Sequence, residues 1–265
     1  MNLTGRTCSM GRIFETKHTV FNYDEIPVGY YYKAMLNGSP IQRFWHRTQF
    51  EEVAKRISPG SRVLDFGCGP GSFLSVLGDV HPNVSAIGVD IVKSQIDFAN
   101  SHIASKFENG RISFLTINSP SLPFGDNSFD FITCVEVIEH IHPFIALRIF
   151  SEIKRVLKPN GRILVVTPNY NSMWPLIEMV VEKISPVKYH DQHISKYTPN
   201  SLVKFLESAG FQSKRIDTIF VVAPFTAPLS RKLASSLHAI ERKIRKYGSL
   251  IFIEASINPN FHSEG

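Results

Sequence analysis

The chain has 265 residues, 43% of them hydrophobic and 20% charged, the proportions of a soluble globular enzyme built as one large domain or one domain with insertions. No run approaches the ~18 apolar residues of a membrane span, and the opening MNLTGRTCSMGRIF has no apolar stretch long enough for a signal peptide. Cys8, Cys68 and Cys134 stand too far apart for a zinc knuckle, and their odd number without a secretion signal implies reduced thiols and a cytoplasmic location. The net charge of +6 is concentrated: Arg231, Lys232, Arg242, Lys243, Arg245 and Lys246 face one acid, Glu241, in a single late segment. The basic balance is therefore weak evidence for nucleic acid.

Residues 1–28 lack periodicity, and residues 41–57 read as a helix with Ile41, Phe44, Trp45, Phe50, Val53 and Ile57 biased to one side. We take 1–58 as an N-terminal helical segment, 59–257 as the main domain and 258–265 as a tail. Strands are expected at 62–66, 85–90, 111–116, 129–135 and 161–167, with helices at 91–106 and 143–157. Short apolar strands alternating with helices imply an α/β fold, a mostly parallel sheet covered on both faces. The alternation then breaks. Residues 171–197 form an insert before a helix that Thr198 and Pro199 can open. A strand at 214–222, a second insert at 225–247 and a last strand at 249–255 complete the chain.

The first strand runs into VLDFGCGPG, with Gly67, Gly69 and Gly71 at alternate positions and Asp65 two residues ahead of them. Glycines at such a turn let backbone N–H groups approach a ligand. The spacing is not the G-x-G-x-x-G of a dinucleotide loop, and an acid at Asp65 repels a pyrophosphate but suits an amine or a sulfonium. The second strand ends in Asp90, whose carboxylate can accept both hydroxyls of a ribose. The site asks for a nucleoside with a cationic tail.

VLDFGCGPG, AIGVDI, LPFGDNSFDFITCVEVIEHI and LKPNGRILVVTPN, in that order, resemble the class I S-adenosylmethionine-dependent methyltransferases over roughly residues 60–220. The resemblance implies a Rossmann-like fold with a seven-stranded, mostly parallel sheet and an antiparallel last strand. It implies S-adenosyl-L-methionine as cofactor, with Asp65, Gly67 and Gly69 at the methionine end, Asp90 on the ribose and Ile91 on the adenine. Asn118 stands where relatives often carry an acid facing the adenine amino group, and an Asn carbonyl can still accept that N–H. Gly71 either joins the loop or serves helix packing, and Cys134, near the end of the fourth strand, completes the cofactor set.

EVIEH, Glu136 to His140, narrows the resemblance to O-methyltransferases of the ubiquinone-biosynthesis type. It is also similar to small-RNA 2′-O-methyltransferases, in which such side chains and a later His hold a divalent metal. One helical turn would put Glu136, Glu139 and His140 on one face, a donor set suited to Mg²⁺ or Zn²⁺. His193, or else His190, is the candidate extra ligand; without metal, Glu136, Glu139 and His140 form an acid–base cluster with His140 as the base, and His193 is a further catalytic candidate. The sequence TCVEVIEH after the fourth strand lacks the Asn/Asp-Pro-Pro motif of enzymes that methylate exocyclic base amines.

Both inserts follow strands whose carboxyl ends border the site, so they should wall the acceptor pocket. SMWPLIEMVVEKISPV is almost apolar all round, as a buried helix or one facing something greasy would be. In the second insert Leu233, Leu237, Ile240 and Ile244 make one stripe with the basic residues largely around the other side. The plain reading packs that stripe on the domain. The same pattern is that of an interfacial helix on anionic lipid, a peripheral membrane contact through 229–247. The expected reaction is methyl transfer to a hydroxyl of a small, partly hydrophobic or lipid-linked molecule. An RNA 2′-O-methyltransferase and a cofactor-binding module without catalysis are the alternatives, and the confined basic charge speaks against the RNA reading.

Overall fold

The computed structural model describes residues 26–119, 121–184, 192–244 and 247–261. Cys8, His190, Arg245 and Lys246 lie outside the described residues, as do 1–25 and the end of the tail.

Seven strands form one sheet in the order β3-β2-β1-β4-β5-β7-β6. β1 is Arg62–Phe66, β2 Ser85–Asp90, β3 Ile112–Thr116, β4 Phe129–Val135 and β5 Leu157–Pro168, all mutually parallel. β6, Phe211–Ile219, and β7, Leu250–Ile257, pair with each other antiparallel, and β7 runs antiparallel to β5. The central strands are buried on both faces, so they read as continuous apolar runs such as FDFITCV instead of alternating. The strand order reverses between β1 and β4, which opens a crevice at their carboxyl ends.

One face of the sheet carries α1 (Tyr30–Asn37), α2 (Pro40–Ala54), α3 (Ser72–Val80) and α4 (Lys93–His102). The other carries α5 (Pro143–Val156) and α7 (Pro199–Ser208), whose Ile149, Phe150, Leu202 and Leu206 are buried together. α2 begins with a capping box: Ser39 and Gln42 each accept the other's backbone N–H, which satisfies two otherwise orphaned donors. Thr198 and Ser201 make the same box at α7. α1 has no counterpart in the sequence reading. It is two turns long, and its Tyr32 and Met35 share a core with Phe44, Trp45 and Phe73, so α1 and α2 pack as part of the domain's body.

Several boundaries moved for tertiary reasons. α4 starts at Lys93 rather than Ile91, because the Asp90 carboxylate accepts the Val92 N–H and holds the chain out of helix until then. β6 spans 211–219, not 214–222. Its ladder ends where Ile219 meets Leu250, and Phe220, at φ 67°, turns off to bury its ring against Trp45. β5 begins at Leu157 through its pairing with Phe129.

The inserts are α6 (Trp174–Ile184), α8 (Ala223–Thr226) and α9 (Arg231–Ile244). α9 packs on the domain, but not through its apolar stripe. Its buried residues are Ala234, His238 and Glu241. His238 sits among Phe44, Phe220 and Glu52. Glu241 accepts the N–H groups of Val221, Val222 and Ala223, the turn that opens α8. That polar cap fixes the helix's rotation and leaves Leu233, Ile240 and Ile244 exposed, with Leu237 at the seam. Among the described residues no helix is long and apolar enough to cross a membrane.

Candidate active site

Three glycines of the β1–α3 turn take left-handed φ values of 74°, 50° and 79°. They serve different ends. A Cβ on Gly67 would collide with the Val137 side chain, whereas one on Gly69 would meet nothing, so the Gly69 backbone is open to a ligand. Gly71 is turned away from the cavity wall: a Cβ there would lie 2.7 Å from the Phe114 ring and 3.2 Å from Ala99 Cβ, so its part is packing beneath α3. The Gly67 and Cys68 N–H groups donate to the Val89 carbonyl, and Gly69 N–H donates to Asp90 Oδ2 at 2.8 Å. Asp90 thus ties the loop to β2 while each oxygen keeps acceptor capacity.

Asp65 is 2% exposed and accepts the Thr133 hydroxyl at 2.7 Å. Burial pushes its pKa up to about 7, the Thr133 bond opposing and the Asp90 charge adding to the rise. Burial also raises Asp90, against the Val92 and Gly69 hydrogen bonds. A buried carboxylate, Asp65, and a half-buried one, Asp90, thus face one cavity.

Ile91 is exposed and lines the cavity. Asn118 and Cys134 do not. Past the end of β3 the chain stays extended enough that Ile117 and Ser119 line the wall while Asn118 points to solvent. On β4 the same alternation gives Thr133 to Asp65 and Val135 to the cavity. Cys134 goes to the opposite core with Ile138, Ala146 and Ile149.

The cavity measures about 1420 Å³ and runs from the glycine loop to the end of β4 and the first insert. It exceeds the ~300–1,000 Å³ of ordinary ligand pockets, leaving room for a donor and an acceptor together. Its far walls are apolar: Trp45, Phe50, Trp174, Ile177, Val180 and Phe225.

Glu136, Glu139 and His140 do not share a helical face. β4 ends at Val135, and Glu136 takes φ 54°, which swings the chain off the strand before a single 3₁₀ turn, Ile138–His140. Glu136 lines the cavity, but the group whose ligand atoms lie within 4.8 Å of one another is Glu139, His140 and His193. His193 arrives from the end of the first insert, and His140 Nδ1 donates to the Gln192 carbonyl at 2.9 Å. His193 Nδ1 lies 2.5 Å from Glu178 Oε1, and the Tyr170 hydroxyl lies 2.9 Å from both. Glu139 Oε2 accepts the Thr167 hydroxyl, while its Oε1 is buried with no hydrogen bond and 4.0 Å from His140 Nε2.

Burial raises Glu139 to about 7, with the His193 charge opposing and Glu136 adding. Burial, with the charge of His193, lowers His140 to about 4, so it is a neutral imidazole at pH 7. Burial also works against His193, but the Glu178 bond and the carboxylates of Glu139, Glu178 and Glu136 outweigh it and raise its pKa. Neither Glu178 nor Tyr170 is among the site residues expected from the sequence. The one available signal was a carboxylate standing in an otherwise apolar helix, WPLIEMVV.

Residues 41–214 match a family model described as a methyltransferase domain. The chain is 30% identical over 190 residues to demethylmenaquinone methyltransferase of Symbiobacterium thermophilum, covering 63% of this chain and 74% of that protein. It is 26% identical to a ubiquinone/menaquinone biosynthesis C-methyltransferase of Geobacter sulfurreducens (78% and 83% covered), and 32% identical to an O-methyltransferase of Penicillium expansum (43% and 41%). Among solved structures, the PH0226 protein of Pyrococcus horikoshii superposes with a TM-score of 0.63 at 17% identity, covering 90% of this chain and all of that one. Magnesium protoporphyrin IX methyltransferase of Synechocystis superposes with a TM-score of 0.57 at 16% identity (84% and 88%). At such identities the structural likeness speaks for the fold.

Proposed function

The chain belongs to the methyltransferase-domain family, and from that premise we propose that it transfers the methyl group of S-adenosylmethionine to a hydroxyl of a partly hydrophobic or lipid-linked molecule. The observation that carries the acceptor class is the apolar cavity, which is continuous from the glycine loop to the Glu139–His140–His193 group.

Asp65 receives the donor's ammonium group, Asp90 the ribose hydroxyls, and Ile91 covers the adenine. The Gly69 backbone, open above the loop, lets the donor lie close. This turns the sulfonium methyl toward the end of β4, where positioning supplies much of the rate. The acceptor's chain lies along Trp45, Trp174 and Val180, and its reacting oxygen meets Glu139, His140 and His193.

These three side chains fit a divalent ion. Glu139 offers an oxygen without a hydrogen bond, and both imidazoles are held by Nδ1, as ligating histidines commonly are, His193 through the Glu178 carboxylate. Bound there, Mg²⁺ or Zn²⁺ would lower the acceptor hydroxyl's pKa. Glu136 stands beside the group and adds negative charge. Without the ion, Tyr170 and Glu178 fix the ring of His193, whose neutral form takes the acceptor's proton as the oxygen attacks, and the imidazolium is stabilised by Glu178. As the new O–CH₃ bond forms, the S–CH₃ bond breaks and its electron pair returns to sulfur.

A second reading, transfer to a ring carbon, is favoured by the relatives with the longer coverage, which are C-methyltransferases. A ring hydroxyl deprotonated by His193 would push electrons to that carbon instead. The deciding experiment incubates the protein and S-adenosylmethionine with prenylated phenols, their unprenylated parents and short RNA, and measures S-adenosylhomocysteine formation. Turnover of the prenylated phenol with an O-methyl product is expected. Turnover of RNA alone, or binding of the donor without turnover of any acceptor, would overturn the proposal.

A further inference from the structure

α9 presents an arrangement that folding alone does not require. A helix on a soluble domain buries its apolar stripe and exposes its polar one. α9 does the reverse with its strongest stripe. Ala234, His238 and Glu241 face inward, while Leu233, Ile240 and Ile244 are 43%, 57% and 53% exposed. Leu229, in the turn four residues before Leu233, is 81% exposed and continues the spacing. Phe225, four residues earlier still, is 42% exposed and lines the main cavity.

Charge selects the occupant. Arg231, Lys232, Arg242 and Lys243 lie on α9, and its one acid, Glu241, is turned inward onto backbone N–H groups. Arg242 reaches Glu52, whereas Arg231, Lys232 and Lys243 are exposed and make no ion pair with a described residue. By helical position, Lys232 and Lys243 flank the apolar stripe on the side away from the buried residues. A second copy of the chain would bring the same lysines together and repel. An anionic surface with an apolar interior satisfies both halves of the pattern.

We propose that α9 and the turn before it dock on an anionic lipid bilayer, with Leu229, Leu233, Ile240 and Ile244 in the acyl boundary and Lys232 and Lys243 among the headgroups. The stripe begins at Phe225 on the cavity wall, so docking brings the cavity to the membrane surface. The docking rests on the reading of a lipid-linked acceptor for its purpose, but its physics does not depend on which atom is methylated.

The test uses the full chain and vesicles of phosphatidylcholine alone or with 30% phosphatidylglycerol, read by co-sedimentation at low and high salt. Binding to the anionic vesicles, released by salt, is expected. Ile240→Glu should abolish it, and Lys232→Glu with Lys243→Glu should weaken it by roughly twentyfold or more. All three positions are exposed, so both variants should keep the wild-type Tm and S-adenosylhomocysteine affinity. That control separates failure of the docking from failure of the methyltransferase reading. Equal binding to both vesicle types, no binding, or an Ile240→Glu variant that binds like wild type would overturn the proposal. So would a concentration-dependent dimer in sedimentation velocity that Ile240→Glu dissolves, because a second copy would then cover the stripe.

Discussion

Asp65 should make donor binding depend on pH, and the same carboxylate should cost the ligand-free protein stability. The side chain is 2% exposed with a pKa of about 7, raised first by burial. At pH 6 about a tenth of the molecules carry it ionised, and at pH 8 about nine tenths. If only the ionised form pairs with the donor's ammonium group, affinity for S-adenosylhomocysteine falls about tenfold from pH 8 to pH 6, or ~1.4 kcal/mol. Linkage fixes the sign for stability. The folded carboxyl holds its proton more tightly than the unfolded one, whose pKa is 3.8. The penalty is therefore absent below that value, grows as pH rises, and is complete above about 7, with a ceiling of ~4 kcal/mol. Asp65→Asn keeps an oxygen for the Thr133 hydroxyl but removes the charge. In calorimetry it should bind S-adenosylhomocysteine more weakly at pH 8 and with a flatter pH profile, any remaining slope belonging to the ligand. In thermal denaturation it should be more stable than wild type at pH 8 and nearly equal at pH 4. A variant with the wild-type pH profile of affinity, or with no stability gain at pH 8, would refute this account of Asp65.

Asp90→Ala removes the anchor of the Gly69 and Val92 N–H groups and, on the proposed reading, the acceptor of the ribose hydroxyls. Its S-adenosylhomocysteine affinity should drop by ~2 kcal/mol, about thirtyfold, and unchanged calorimetric affinity would remove the assignment. Gly67→Ala drives a methyl into Val137 at a left-handed φ, which should lower unfolding free energy by ~1–3 kcal/mol, whereas Gly60→Ala, with open space around it, should show only the cost of its own positive φ. Equal denaturant midpoints for the two variants would contradict the packing argument. Exhaustive chelation should abolish turnover, and Mg²⁺, Mn²⁺ or Zn²⁺ should restore it; full activity after chelation would leave His193 and Glu178 as a metal-free base. In either case Glu178→Gln should lower kcat more than it raises KM, since Glu178 acts through the ring of His193.

The glycine-loop end of the cavity was legible because it is local. Asp65, Gly67, Gly69 and Asp90 stand at the ends of two adjacent strands, and the strand–turn–helix pattern that places them is written in consecutive residues. Even there, the chain could not say which way an extended residue points once its strand has ended. Asn118, two residues past the end of β3, faces solvent, whereas Cys134, still inside β4, faces the opposite core because the strand's period of two assigns it that side. The opposite end of the cavity, with Glu139, His140 and His193, is made of long-range contacts. Glu139 and His193 are neighbours only because the first insert folds back over β4, and no spacing between them encodes that return. Helical spacing suggested that Glu136 joins Glu139 and His140; a single left-handed residue at the strand's end decided otherwise. For α9 the sequence determined an apolar stripe and a basic one. Which face turns inward was decided by Glu241, whose carboxylate gains three hydrogen bonds to a turn twenty residues away and so sets the helix's rotation against its own hydrophobic pattern.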